Sequence, residues 1–100
     1  MSELMKGREF QLWEYQVSHG SLLIRSPAGP ELETSIDIIC VGVEYLAAPR
    51  HLGEITVSEA SEVEIGSLEE ILGKKFPLSR VWALQSSHQR SLVVAAALKI

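Results

Sequence analysis

The chain has 100 residues, 46% hydrophobic and 22% charged, with a net charge of −4. This is the composition of one globular domain able to bury a core unaided, not of a disordered segment. The longest unbroken apolar run, residues 92–98, is far short of the ~20 residues a spanning helix needs, and the first six residues hold an early acid and no apolar leader core, so neither a membrane span nor a secretory signal is expected.

Cys40 is the only cysteine and cannot form an internal disulfide, which points to a reducing, cytoplasmic setting. Charge is unevenly spread along the chain. Residues 1–30 balance at zero; residues 31–70 hold ten acids against Arg50; residues 71–100 hold five bases and no acid. Two segments neutralising each other across the fold is the plain expectation, and an acidic face that steers a basic partner is the sharper one. Five scattered cations on an acidic protein offer nucleic acid a poor counterion-releasing surface.

Residues 1–8 show no periodicity and read as a loose tail. Residues 10–26 read as a β-hairpin. With His19 and Gly20 as a two-residue loop, Ser18 faces Ser21, Val17 faces Leu22, Tyr15 faces Ile24 and Glu14 faces Arg25. Pro27, Gly29 and Pro30 then end the second strand.

Residues 34–46 are β-branched and apolar at both parities, which predicts a central strand covered on two sides, with Gly42 marking a bulge, a bend or a close backbone approach. In residues 53–65 the apolar side chains fall on odd positions, which predicts a second hairpin turning at Glu59, Ala60 and Ser61 and pairing Val57 with Val63; a short helix is the competing reading. Ser67 and Glu70 form a capping box for a short helix near residues 67–73, which Gly73 ends and Pro77 bars from continuing. Residues 79–86 and 91–98 read as two buried strands that set Trp82 against small alanines and valines. The sum is a mainly β (α+β) domain: a small antiparallel β-barrel or two-sheet sandwich of about six strands with one short helix.

No catalytic, metal or nucleotide motif is present. His19, His51 and His88 each stand in an expected turn, more than thirty residues apart, unlike the short spacing of metal ligands. They would form a site only by converging on a carboxylate such as Asp37 or Glu44. Asp37, the only aspartate, sits in the most apolar strand and needs a partner: Arg25, Arg80, a histidine or a backbone amide. Cys40 lies between Ile39 and Val41 and reads as core.

No cofactor is implied. The reading is therefore a non-catalytic binding or protein-interaction domain, with a basic protein partner or a second copy, using the acids Glu54, Glu59, Glu62 and Glu64. A ligand-binding barrel around Trp13, Tyr15 and Trp82 is the first rival, and an enzyme built on the turn histidines is the second.

Overall fold

The computed structural model describes residues 6–29, 33–77 and 79–100. Among them run nine strands and one helix: β1 Phe10–Gln16, β2 Ser21–Ser26, β3 Ile36–Val41, β4 Tyr45–Ala47, β5 His51–Gly53, β6 Thr56–Glu59, α1 Glu62–Leu72, β7 Arg80–Gln85, β8 Arg90–Ala95 and β9 Ala97–Lys99. Every pairing is antiparallel. The strands form two sheets, one ordered β5-β1-β2-β3-β9 and the other β4-β8-β7-β6. No helix among the described residues is long and apolar enough to cross a membrane.

Two strand runs pass from one sheet into the other at a shared corner. After β3 the chain turns through Gly42 at φ 68° and continues as β4; beside it, the chain leaves β8, bends at Ala96 and continues as β9. The Ala96 N–H donates to the Val41 carbonyl at 2.9 Å, and the Val43 N–H donates to the Gly20 carbonyl at 2.8 Å, which seats the β1–β2 turn on the same corner. Strands that switch sheets through a bend are how two packed sheets make a corner.

The middle layer is the four-stranded sheet. Its first face meets the five-stranded sheet, where Phe10, Leu22, Ile24, Ile38 and Cys40 pack with Leu84, Val93 and Ala95, and Trp82 lies against this cluster. Its second face meets α1: Val81 and Val94 pack with Ala60, Leu68 and Phe76, with Ile65 and Leu72 alongside. Each fully buried Leu, Ile or Phe is worth ~1.5–3 kcal/mol relative to exposure. Among the described residues the five-stranded sheet is thus covered on its inner face only.

Several expectations are corrected. The two sheets do not close into a barrel, and the described strands number nine because the corner cuts two long runs and because His51, expected in a turn, opens the short strand β5 that pairs with β1. The hairpin turn is longer than two residues: Gln16 faces Ser21, Tyr15 faces Leu22, Glu14 faces Leu23 and Gln11 faces Arg25, with a bulge between Leu12 and Glu14. A two-residue turn of the favoured kind would put His19 at positive φ, and only glycines take that conformation here.

The hairpin over residues 53–65 is replaced by β6 and the start of α1, and the helix begins at Glu62 rather than near 67. Ser61 and Glu64 make the capping box, and starting there places Ile65, Leu68 and Leu72 on one stripe against the sheet. The C-terminal end is as expected, at Gly73 with φ 67°.

β3 is covered on one side: Ile38 and Cys40 are fully buried while Ile39 and Val41 face out. Of the segment read as a tail, residues 1–5 lie outside the described residues. Arg8 is buried, donating to Ser26 Oγ and to the carbonyls of Ser26 and Thr34 at 2.8–3.0 Å.

A Cβ on Gly42 would meet the Ala96 Cβ at 3.0 Å, whereas a Cβ on Gly53, at φ 74°, meets nothing within 4 Å. Gly53→Ala should therefore cost only the left-handed backbone penalty of ~1–2 kcal/mol. Gly42→Ala should cost clearly more, measured as the difference between the two variants in urea unfolding.

Candidate functional site

The outer face of the five-stranded sheet is built from alternate residues of four neighbouring strands. Register places them in rows: Gln11 beside Arg25 beside Asp37; Glu14 beside Leu23 beside Ile39 beside Lys99; Val41 beside Ala97. Trp13 is the extra residue of the β1 bulge, and Arg25 lies over its ring, 5.1 Å from the centroid. Bulges re-aim side chains in this way.

Trp13, Ile39 and Val41 are 47%, 42% and 42% exposed, and Leu23 is half-buried between them. Isolated apolar residues on a surface need no explanation, but a contiguous group on one flat sheet face marks a contact surface. Arg25 grips Asp37 through two hydrogen bonds of 2.7 and 3.1 Å. Those bonds, more than the attraction of the bare charges, hold the Asp37 carboxyl below its ordinary value and raise the guanidinium. The partner expected for Asp37 is found in Arg25, and the face carries both signs of charge.

The four acids expected to bind a partner are dispersed in their roles. Glu59 pairs with Arg80 at 2.8 Å, and Glu64 is clasped by Arg90 through Nε and Nη2. Glu54 accepts from the Gly7 N–H at 3.0 Å, and Glu62 stands exposed in the first turn of α1. Further pairs join Glu44 to Lys74 and Glu69 to Lys75. Acids of residues 31–70 thus meet bases of residues 71–100, the neutralising arrangement. Glu44 also accepts from Ser79 Oγ at 2.7 Å; this bond, then Lys74, lowers its carboxyl.

His51 and His88 line one surface cleft of about 420 Å³ together with Glu54, Ser86 and Gln89. His19 sits in the turn at the other end of β1. Asp37 and Glu44, the carboxylates considered for acid–base work, are held in their own ion pairs away from that cleft. Among the described residues no three of His, Cys, Asp and Glu are grouped to hold a metal.

The aromatic trio is split. Trp13 is on the outer face, Tyr15 is 46% exposed, and Trp82 packs between the sheets, where its indole N–H has no acceptor among the described residues. The outer face and the anchoring role of Arg8 were not foreseen from sequence. The signal for the face was the shared parity of Leu23, Ile39 and Val41, which the two-sided reading of β3 hid.

Comparison with known proteins finds no family model, no curated protein and no solved structure that matches this chain.

Arg90, followed by the Ser61 N–H, brings the Glu64 carboxyl from 4.5 down to about 2. A group whose pKa falls on folding stabilises the fold fully above its unfolded value, and that contribution fades as pH drops from 4.5 toward 2. Glu64→Gln should remove this component, seen as a smaller loss of the urea midpoint between about pH 5 and pH 3. Burial pushes the Cys40 thiol up to about 11, and the side chain is fully enclosed. Its reaction with a disulfide reagent should wait for opening of the fold and become independent of reagent concentration at high excess.

Proposed function

We propose that this chain is a protein-association domain, acting by binding rather than by catalysis, and that it engages a protein surface with an apolar centre through the outer face of the five-stranded sheet. The observation that carries the reading is the grouping of Trp13, Leu23, Ile39 and Val41 on a face that no other element among the described residues covers. A flat apolar centre with charged residues at its margins has the anatomy of an interface, with an aromatic residue and an arginine at its middle.

Steering by acids takes second place, because Glu59 and Glu64 are already paired within the fold. The balanced charges of the face suit a protein surface better than a polyanion. One buried thiol in the described core suits a reducing, cytoplasmic setting.

The test uses the chain in native extract and in purified form, by sedimentation or size exclusion. A species larger than the 11.0 kDa monomer is expected. It should be lost in Ile39→Asp and weakened about tenfold or more in Trp13→Ala, in line with losses at central aromatic anchors. It should persist in Glu54→Gln combined with Glu62→Gln. An Ile39→Asp variant that is folded by circular dichroism and still fully associated would overturn the reading.

A further inference from the structure

We infer that the surface seated on this face is a second copy of the chain, turned about a two-fold axis that lies parallel to the strands and passes between β2 and β3. The inference rests on the association reading above and supplies its partner. A two-fold contact uses the same patch on both molecules, so the patch must complement itself.

In the order β5-β1-β2-β3-β9, two strands of the patch, β1 and β2, lie on one side of the line between β2 and β3 and two, β3 and β9, on the other, with β5 outside the overlap. Turning the face over about that line lays β2 on the second copy's β3 and β1 on its β9. Leu23 then meets Ile39 of the second copy, Arg25 meets its Asp37, and Glu14 meets its Lys99, because each pair shares a row in the observed register. Every charge on these rows finds the opposite sign. The alternative two-fold, lying across the strands over the Leu23 and Ile39 row, would lay Glu14 on Glu14 and Lys99 on Lys99. Like charges in such juxtaposition reject that pairing.

Glu14 and Lys99 are both exposed, and they stand three strand spacings apart within one chain, roughly 14 Å at ~4.8 Å per spacing. They cannot pair within a molecule, so any coupling between them reports a contact between molecules. The four overlapping strands, β1, β2 and β3 of six or seven residues and β9 of three, give a face of at most roughly 19 by 20 Å in plan. That is below the ~800 Å² per partner of a standard interface, so the dimer should dissociate on dilution.

The experiment reverses the two charges separately. Glu14→Lys alone and Lys99→Glu alone each place two like pairs in the dimer and should weaken self-association about tenfold. An equimolar mixture of the two variants restores both pairs in a heterodimer and should recover association close to wild type, read by analytical ultracentrifugation with circular dichroism as the control for folding. Single variants that dimerise as wild type does, or a mixture no better than its components, would overturn the geometry.

Ile39→Asp separates the two levels of inference. If it dissolves the dimer while the charge reversals do not, this axis is wrong and the association reading stands. If the purified wild type stays at 11.0 kDa at all concentrations but forms an Ile39-dependent complex in extract, another protein occupies the face and the second copy is overturned. If neither form associates, both inferences fall.

Discussion

Gly42 and Ala96 lie so close that a single methyl group added to the glycine would reach the alanine side chain at 3.0 Å. At this point two antiparallel neighbours bend together, so β3 and β9 stay paired in one sheet while β4 and β8 stay paired in the other. The five-stranded sheet is thereby folded over the four-stranded one with its inner parity, Leu22, Ile24, Ile38 and Cys40, facing the core. The opposite parity is left outside. The positions of Leu23, Arg25, Asp37, Ile39 and Val41 on the candidate contact face follow from this bend and from the two-residue period of the strands, while Trp13 joins them through the β1 bulge.

The electrostatics divide along the same layers. The acids of β6 and α1 and the bases of β7, β8 and the segment after α1 neutralise one another on the helix side of the molecule. The Glu64 and Arg90 clasp ties the first turn of the helix to the start of β8, so the charge imbalance along the chain serves to dock the helical layer. The face of the five-stranded sheet is left with Arg25 and Lys99 against Asp37 and Glu14, so this face itself is close to neutral.

Much of the architecture was legible in the residues. Alternation identified the strands of 10–26 and 79–98, Gly73 identified the helix end, and the pairing of large Trp82 with small Val93 identified the buried middle sheet. The errors have a common origin: local patterns with two physically acceptable solutions. Ser61 with Glu64 caps a helix as well as Ser67 with Glu70 does, and only the packing of Ile65, Leu68 and Leu72 on the sheet decides between them. A run of β-branched residues at 36–41 fits a strand covered twice or once, and nothing local reveals that the helix lies on the other sheet. The site suffered most, because a bulge at Trp13 shifts the register of β1 and no residue near it announces the extra position.

The two indoles stand on opposite sides of one sheet, Trp13 outside with its ring under a guanidinium and Trp82 half-buried against the core between the layers. They are the only tryptophans in the chain. The molecule consequently carries two intrinsic optical reporters with separate duties: iodide in the solvent reaches the outer one more readily than the inner, and emission from the inner one follows the integrity of the interior. Occupancy of the outer surface and global unfolding are therefore spectroscopically separable without any added label.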